Sequence, residues 1–518
     1  MPLSTVVLNH RPLVWKTRWA PRPDFSYTRE PVHYIRLDHN AADRWSITPA
    51  SGDTAWSVYP PQPAFHTSAD GTLSGTFEQP GHYALLCGDT VRGWLFLDPV
   101  GAYTRPAEAV DGRSFGVLPN TGRPVTDVLN AALAKLSASG GGTLSLGPGL
   151  YETGTVHMRS HTFLHLEDGA VLQASLDLDA HPLDDPGLAP SHLPRSLQPG
   201  THRRLVYFDH VENSGLIGRG TVCGQGSELR RLHTWPRAMM QLVRAVGCRR
   251  LRFEGVFLRD SEFWNTHLIH CDDVRFSGVK VLNEIPPPCW DSAWRPGSKS
   301  IWNNADGINP DSSTRIVIED CFFHTGDDCV PIKNTGCHLD RLADVHDITV
   351  KRCLMRTPVT ALKVGTETRG GRIGRVLFDD IHIVECSRVI GVDLKDGVHA
   401  HDLTFRNIHV LRCNRPFDFW ILHREDQTDQ RRFSRLRNVS VDGLRIERAG
   451  TEGSNQTSHI QGRDSDHDVQ GVVLNQLQIE GRAIINLADL DIETNAFASG
   501  VELMPVAPRA AGAALAAR

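Results

Sequence analysis

Residues 376–383 read VLFDDIHI, and seven other octapeptides of the chain repeat their pattern. Each has an apolar–x–apolar triplet, two residues that are usually polar or Gly, and a second apolar–x–apolar triplet. Alternation with a period of two is typical of a β-strand that buries one face, so the central pair predicts a corner between two strands. The other copies are LRFEGVFL (251–258), VRFSGVKV (274–281), IVIEDCFF (316–323), ITVKRCLM (348–355), LTFRNIHV (403–410), VSVDGLRI (439–446) and VVLNQLQI (472–479).

The spacing of these octapeptides indicates a solenoid. Their starts are separated by 23, 42, 32, 28, 27, 36 and 33 residues, which is too long for hairpins and elastic from one unit to the next. A repeat of a few tens of residues made of strands and corners predicts a right-handed parallel β-helix. A β-propeller would need blades of about 40–45 residues with four strands each. A β-sandwich would leave the eight matches to chance.

The flanking segments complete an all-β fold class. Five of the eleven Trp residues and several short alternating stretches fall before residue 100, which favours a small N-terminal β-sandwich. An amphipathic helix at 126–138, N-capped by Thr126, is expected to cover the open end of the solenoid. The predicted boundaries are 1–100 for the accessory sandwich, 101–114 for a linker, 115–504 for the β-helix and 505–518 for a flexible tail.

Composition narrows the function classes. The net charge of -5 gives no support for a nucleic-acid or anionic-membrane partner. No apolar run reaches the roughly 18 residues of a membrane span, and no signal peptide is visible at the N-terminus. We therefore expect a cytoplasmic protein, or a secreted one whose signal has been removed. The eleven cysteines include no CxxC pair, which favours buried, reduced thiols over a metal site or a disulfide framework.

Three aspartates carry the strongest chemical signal. Asp306 lies in a polar turn, and the adjacent pair Asp327 and Asp328 follows 21 residues later, close to one coil of the predicted solenoid. Residues one coil apart lie above one another, so we expect the three carboxylates to converge on one outer face. Glycoside hydrolysis needs such a group, with a protonated acid for the leaving oxygen and a carboxylate for water. Crowding of like charges raises one pKa and supplies the acid without metal or cofactor.

These residues resemble a known family. NADGINPDSS (304–313) and HTGDDC (324–329) are similar to the Asn-Thr-Asp-Gly-Ile and Gly-Asp-Asp motifs of glycoside hydrolase family 28, the polygalacturonase family. The resemblance implies a right-handed parallel β-helix and a pectin-degrading type of glycosidase. Further matching stretches, in the family's order, are GRGTVCGQG (218–226), RDSEFWNTHLIHC (259–271) and KVGTETRGG (363–371).

The resemblance also implies roles for the aspartates. Asp327 resembles the general acid, and Asp306 and Asp328 resemble the pair that activates water. Family members invert the anomeric configuration, which predicts carboxyl separations of roughly 6.5–9.5 Å.

Three departures from the family indicate altered sugar recognition. Val359 stands where the family has a histidine. Asp393 stands where the family has the arginine of an Arg-Ile-Lys motif that grips a galacturonate carboxylate, although Lys395 keeps the lysine. The family's late tyrosine has no counterpart, because no Tyr follows Tyr207. The substrate is therefore expected to be a polysaccharide or oligosaccharide, pectic or not, that differs from plain homogalacturonan.

Other polar and aromatic residues near these motifs are candidates for substrate binding. His267 is expected to be structural, beside Trp264, and Lys395 is as well explained by solvation as by binding. A non-catalytic carbohydrate-binding β-helix is the main alternative, and a calcium-dependent lyase on the same fold is a weaker one. The candidates are Asn304, Lys363, Glu367, Arg388, Asp393, Lys395, Trp264, His267, Trp302 and Trp420, with Arg369 as a further possible anion contact.

Overall fold

The protein consists of two β domains, and the predicted all-β fold class is confirmed. In the computed structural model, a pair of five-stranded sheets is followed by one large sheet of 31 strands. The described residues are 5–18, 32–50, 55–183, 202–233, 239–284, 304–335, 343–395, 397–421, 434–450 and 457–504. The proposed tail at 505–518 and the candidate Trp302 lie outside these ranges.

The N-terminal domain is a sandwich of two sheets, in the strand orders β2-β1-β5-β8-β7 and β3-β4-β10-β9-β6. Its pairings are antiparallel except for β4 with β10, which run parallel. The strands are β1 Thr5–Leu8, β2 Arg11–Pro12, β3 Lys16–Arg18, β4 Val32–Asp38, β5 Trp45–Thr48, β6 Trp56–Tyr59, β7 His66–Thr67, β8 Leu73–Gly75, β9 Gly81–Cys87 and β10 Thr90–Asp98.

The second domain is a parallel β-helix in which successive coils pair in parallel. Its first strand, β11, pairs with β12 and lies within the segment predicted as a linker. The strands are β11 Val110–Asp111, β12 Gly142–Leu146, β13 Gly149–Thr153, β14 Val156–His157, β15 Thr162–Leu166, β16 Ala170–Ala174, β17 Arg203–Asp209, β18 Glu212–Gly218, β19 Thr221–Cys223, β20 Met240–Val246, β21 Arg249–Glu254, β22 Phe257–Arg259, β23 Thr266–Ile269, β24 Asp272–Ser277, β25 Lys280–Leu282, β26 Ile308–Asp311, β27 Thr314–Glu319, β28 Phe322–His324, β29 Val330–Asn334, β30 Val345–Arg356, β31 Thr360–Thr368, β32 Arg372–Leu394, β33 His399–Val410, β34 Cys413–Ile421, β35 Arg435–Ile446, β36 Ser458–Gln461, β37 Val469–Asn475, β38 Gln478–Ile479, β39 Arg482–Ala483, β40 Ile492–Thr494 and β41 Ala498–Met504.

The eight octapeptides stack in register, as the period-two pattern predicts. Val376 pairs with Ile348 on one side and Leu403 on the other, and the equivalent first residues of the other copies continue this column. Every member of the column is at most 2% exposed. Burial of one such aliphatic side chain contributes about 1.5–3 kcal/mol. The column comprises Leu251, Val274, Ile316, Ile348, Val376, Leu403, Val439 and Val472.

In each octapeptide, the corner is formed by a residue in the left-handed backbone conformation. The second residue of every central pair has φ between 53° and 76°, a region that Gly, Asn and Asp enter at lowest cost. This conformation turns the chain from one strand into the next while both triplets keep their apolar side chains inside. The eight residues are Gly255, Gly278, Asp320, Arg352, Asp380, Asn407, Gly443 and Gln476.

Helix α1 (Thr126–Ala138) closes the first coil, at the residues that the sequence predicted. Its buried residues are Leu129, Ala132, Leu133 and Leu136, which pack on the solenoid core. The predicted N-cap is wrong by one residue. Val125 occupies the N-cap position and makes no side-chain cap. The Thr126 hydroxyl accepts a hydrogen bond of 2.7 Å from the Gly154 amide. The other α-helix of the described residues is α2 (Gly226–Leu232), and 3-10 turns occur at Gly112–Phe115, Leu178–Ala180 and Leu487–Asp489.

The N-terminal domain packs on the side of the β-helix through an aromatic cluster. Trp94 contacts Phe322 with ring centroids 4.8 Å apart and His324 at 5.8 Å. Both partners belong to β28, the strand that leads into the Asp327 turn. A buried ion cluster adjoins this contact, because Asp98 accepts hydrogen bonds of 2.6 Å from Lys280 and from Arg36. The accessory domain therefore supports the strand from which the candidate site projects.

The described cysteines are all buried and form no disulfide. Cys386 and Cys413 pair in register on neighbouring coils, as expected for stacked interior thiols. Cys289 and Cys337 lie outside the described residues. Among the described helices, none has the length and apolarity needed to cross a membrane.

Replacement of Gly443 by Ala tests the left-handed corner. A Cβ there would meet only ordinary contacts, the nearest at 3.5 Å from the Asn407 nitrogen, so the cost comes from φ +76° alone. We expect G443A to lower the free energy of unfolding by about 1–2 kcal/mol, measured by urea denaturation. The control is G147A, where φ is not left-handed and the nearest atoms lie at 3.8 Å. Equal stability of G443A and wild type would contradict the corner assignment.

Candidate active site

Backbone pairing between two coils brings the three aspartates together. Asp306 lies two residues before the start of β26, and Asp328, with Asp327 preceding it, lies two residues before the start of β29. The Gly307 amide donates to the Asp328 carbonyl at 2.9 Å, and the Ile308 amide donates to the Cys329 carbonyl at 3.1 Å. The two acidic turns therefore lie directly beside one another, as the 21-residue spacing predicts.

Glycine at position 307 makes this approach possible. A Cβ on Gly307 would lie 2.2 Å from the Cys329 carbonyl oxygen, a distance at which backbone would have to move. The glycine thus follows Asp306 for a steric reason, because any side chain would separate the coils that carry the carboxylates.

Asn304 joins the carboxylates. Its Nδ2 donates to Asp306 Oδ1 at 3.0 Å and to Asp327 Oδ2 at 2.9 Å. These two oxygens can be no further apart than the sum of those distances, 5.9 Å. This pair of oxygens is therefore closer than the 6.5–9.5 Å that the resemblance predicted. The physical reason is the shared amide, which holds both oxygens around one nitrogen.

Asp306 is the buried member of the group, with 1% of its surface exposed. Burial raises the pKa of Asp306 well above its usual range. The Lys333 ammonium opposes this increase in pKa, and the charges of Asp327, Asp328 and Glu367 add to it. The cluster can therefore hold a proton at a pH at which an isolated aspartate would have lost it.

Asp327 is half-buried, whereas Asp306 and Asp328 are buried. Its main-chain carbonyl accepts hydrogen bonds from the Thr325 hydroxyl at 2.5 Å and the Thr357 hydroxyl at 2.6 Å. Its Oδ1 accepts the Asp328 amide at 2.8 Å. Asp327 is thus fixed in orientation yet retains access to a bound molecule.

Asp328 is oriented from the next coil. Its Oδ1 accepts the Thr360 amide at 3.0 Å, and its Oδ2 lies 2.8 Å from Lys363 Nζ. The amide and the ammonium thus fix the orientation of this carboxyl group. The predicted candidate Lys363 therefore belongs to the carboxylate cluster.

Lys333 is a site residue that the sequence reasoning missed. Its Nζ lies 3.4 Å from Asp306 Oδ2, donates to Glu367 at 2.7 Å, and lies 4.1 Å from the centroid of the Trp264 ring. Its position five residues after Asp328, on an alternating strand, was the available signal. Burial acts against its charge, but Glu367 and Asp306 raise the pKa of Lys333, so it remains an ammonium.

Trp264 and His267 contribute to the support of this group. Trp264 is 3% exposed and stacks on Phe263, so it positions Lys333 instead of presenting an open ring face. His267 is 1% exposed, and its Nε2 lies 2.9 Å from Asp311 Oδ2. The structure thus gives His267 the structural surroundings that the sequence reasoning expected.

A second polar network continues along the next coils. Arg388 donates to Asp393 through two nitrogens, at 2.7 and 3.0 Å, and to Asp418 at 2.8 Å. The Trp420 indole donates to Asp393 at 2.5 Å, and the Trp420 ring stacks on His459 with centroids 4.6 Å apart. Lys363, 3.5 Å from Asp393, connects this network to Asp328.

The remaining candidates are less closely tied to the aspartates. Val359 is half-buried, and its carbonyl accepts the Arg388 amide at 2.9 Å. Lys395 lies after β32, and its amide donates to the Thr368 hydroxyl at 3.3 Å. Arg369 is 3% exposed, with its amide bonded to the Asn334 carbonyl at 2.7 Å. Within the described ranges, no group of three or more His, Cys, Asp or Glu side chains has the arrangement of a metal site.

Comparison with known families supports the reading of the motifs. A profile described as "Glycosyl hydrolases family 28" matches residues 195–342, a segment that contains all three aspartates. A "Probable polygalacturonase" of Vitis vinifera is 26% identical over 328 residues, which are 60% of this chain and 62% of the relative. A "Probable polygalacturonase" of Arabidopsis thaliana is 26% identical over 37% of this chain. The match thus spans less than two thirds of each relative, 62% and 46% of their lengths.

Solved structures show the same fold. An exopolygalacturonase from Yersinia enterocolitica aligns with a TM-score of 0.56 at 14% identity, over 90% of this chain and 98% of that one. A hyperthermoactive exopolygalacturonase from Thermotoga maritima aligns with a TM-score of 0.54 at 18% identity, over 78% of this chain and 94% of that one. At these identities the likeness concerns the fold.

The raised pKa of Asp306 predicts a pH dependence of stability. A folded-state pKa above the unfolded value of about 3.9 makes stability fall as pH rises from about 4 towards the folded pKa, by up to about 1.4 kcal/mol per pH unit. We expect D306N to remove this component, so that its free energy of unfolding declines less than that of the wild type between pH 4 and 8. Urea denaturation at several pH values measures the difference.

Asp379 provides a matched control for D306N. It bonds to Arg406 on a solvent-facing corner, and this contact lowers the pKa of Asp379. Its contribution to stability is therefore complete above pH 4 and is lost only as the pH falls further, so D379N should not alter the slope between pH 4 and 8. Parallel slopes of wild type and D306N would contradict the burial of a proton at Asp306.

Proposed function

We propose that the chain is a divergent member of glycosyl hydrolases family 28 and that it hydrolyses O-glycosidic bonds of a polysaccharide or oligosaccharide. The observation that carries the proposal is the joint contact of one Asn304 amide with Asp306 and Asp327. Bringing three carboxyl groups together is otherwise costly, because like charges repel and burial disfavours them. Their convergence supplies both a proton and a carboxylate, the two groups that glycosidic hydrolysis requires.

We assign the general acid to Asp327. It is the half-buried carboxyl group of the three, so its side chain can reach the glycosidic oxygen of a bound saccharide. Asn304 and the Asp328 amide hold its two carboxyl oxygens, which orients the group before substrate binds. Asp327 donates its proton to the leaving oxygen as the bond from that oxygen to the anomeric carbon breaks.

Asp328 and Asp306 serve as the partners for water. Lys363 and the Thr360 amide orient Asp328, which accepts a proton from the attacking water. Asp306 lies beside it, near Lys333, and is the second partner of this water. The oxygen of water bonds to the anomeric carbon and one of its protons passes to Asp328, while the leaving saccharide departs with the proton from Asp327.

The stereochemical outcome that we propose is inversion, in keeping with the resemblance to the family. Inversion requires water to attack from the face opposite the leaving group. Proton NMR of the first product, before mutarotation, distinguishes the two anomers and tests the assignment directly.

The proposed substrate is recognised differently from plain homogalacturonan. Two of the cations predicted to bind substrate, Lys363 and Arg388, are already paired with Asp328, Asp393 and Asp418. A pectic glycan of other composition and a non-uronic-acid glycan both remain candidates for the sugar that is cleaved.

Replacement of Asp327 by Asn tests catalysis. Loss of a positioned general acid typically costs about 10²–10⁴ in rate, and the isosteric amide leaves the fold and the saccharide contacts in place. We expect D327N to lose turnover by that factor on whichever glycan of a plant and microbial panel the wild type cleaves, while binding of that glycan persists. Product release is measured by chromatography, and binding is measured by calorimetry.

D379N again serves as the control, since it removes one aspartate without touching the cluster. Full activity of D327N would contradict the assignment of the acid. Glycan binding by the wild type without any product over the whole panel would contradict hydrolysis and favour a carbohydrate-binding β-helix.

A further inference from the structure

On the coils that follow the three aspartates of the candidate site, Asp393 and Asp418 lie close to the side chain of Arg388. Asp393 on β32 pairs in register with Trp420 on β34, and Gly391 pairs with Asp418. Asp393 is 5% exposed and Asp418 is fully buried. Buried carboxylates need partners, so what these two bind decides which charges remain for a ligand.

Arg388 has no donor nitrogen left over for a ligand carboxylate. Its Nη1 and Nη2 form a two-pronged contact with Asp393, and Nη1 also donates to Asp418. Its Nε and Nη2 lie 3.3 and 3.1 Å from the Thr360 hydroxyl oxygen. Arginine commonly binds a ligand carboxylate through such a bidentate contact, and here Asp393 of the protein occupies that position.

Lys363 is engaged in the same way. Its Nζ lies 2.8 Å from Asp328 and 3.5 Å from Asp393. Burial acts against ionisation of Asp393, but Arg388 and Lys363 lower the pKa of Asp393 to about 2. Asp393 is therefore anionic over the whole working pH range of an ordinary protein.

We infer that Asp393 is a specificity-determining residue: it neutralises Arg388 and Lys363 within the protein, so that this part of the cleft accepts a neutral sugar ring and excludes a hexuronate. A carboxylated sugar would approach the negative charges of Asp328 and Asp393, while the cations Lys363 and Arg388 are already paired within the protein. A neutral ring brings hydroxyl groups, which can bond to the carboxylates without charge repulsion.

The aromatic pair next to Asp393 suits a neutral ring. Trp420 is half-buried, its indole N–H is held by Asp393, and one ring face lies against His459. An indole whose polar edge is satisfied offers mainly apolar area to the C–H face of a sugar. The pair thus adds contact area that does not depend on ligand charge.

This inference rests on the proposed function and adds the class of sugar to it. Its test measures binding instead of hydrolysis, so that a failure of the inference can be distinguished from a failure of the proposed function. The probes are trigalacturonate and its carboxyl-reduced counterpart, trigalactose, which differ only at C6. Calorimetry at low and moderate salt is performed on wild type, D393N and D379N. D393N keeps an oxygen for the Trp420 indole and removes the charge, while D379N makes the same change in net charge at a remote corner.

We expect the wild type to bind trigalactose at least tenfold more tightly than trigalacturonate. D393N should shift this ratio by tenfold or more towards trigalacturonate, with a gain that weakens as salt rises, and D379N should leave the ratio unchanged. If the wild type binds neither probe, trigalacturonate binding gained only by D393N supports the inference.

Tighter binding of trigalacturonate by the wild type would overturn the inference, and this result does not depend on any variant folding. An unchanged ratio in folded D393N, or no binding gained where the wild type binds neither probe, would overturn it as well. If the protein meets these binding predictions but hydrolyses no glycan, the proposed function is refuted.

Discussion

The hydrogen bond from the Gly307 amide to the Asp328 carbonyl, 2.9 Å long, is the constraint on which the site depends. It fixes the register between the coils that begin β26 and β29, and so places Asp306 beside Asp327 and Asp328. A shift of the register by one residue would turn each strand's side chains to the opposite face. The arrangement of the three carboxyl groups therefore follows from the strand pairing that builds the solenoid.

The proximity that this register imposes has an electrostatic cost, and the surrounding coils offset it. Lys333, from the strand after the acid pair, balances Asp306, and Lys363, one coil further, balances Asp328. Burial raises the pKa of Asp306, and the carboxylate charges that these lysines leave uncompensated add to the increase. Burial and crowding thus destabilise the fold as the pH rises above about 4 and also favour a proton on Asp306.

The sequence predicts those features of the fold and site that repeat from coil to coil. The octapeptides specify strands, corners and register, and the prevalence of Gly, Asp and Asn at the second central position reflects the left-handed corner. Arg352 and Gln476 share that conformation, but their residue types do not reveal it. The convergence of Asp306 with Asp327 and Asp328 was predictable because it needs only the length of one coil.

Side-chain contacts outside the octapeptides could not be predicted in the same way. Asp393 and Trp420 pair in register one coil apart, but the hydrogen bond from the indole to the carboxylate depends on side-chain directions that no local pattern records. Likewise, the Asn304 amide contacts both Asp306 and Asp327 because of its direction in the folded turn. The departure of Asp393 from the family pattern was visible in the sequence, whereas its pairing with Arg388 and Lys363 emerged only from the structure.

The central claim is that stacked coils hold a proton among these aspartates at a pH above the usual aspartate pKa of about 3.9. Infrared difference spectroscopy of wild type against D306N, with ¹³C-labelled aspartate, detects the C=O stretch of a protonated carboxyl group. The account predicts that this band persists in the wild type to a higher pH than that of an exposed aspartate, is absent from D306N over the same range, and disappears from the wild type as the pH rises further. Loss of the protonated band of the wild type at the pH of an exposed aspartate would contradict it.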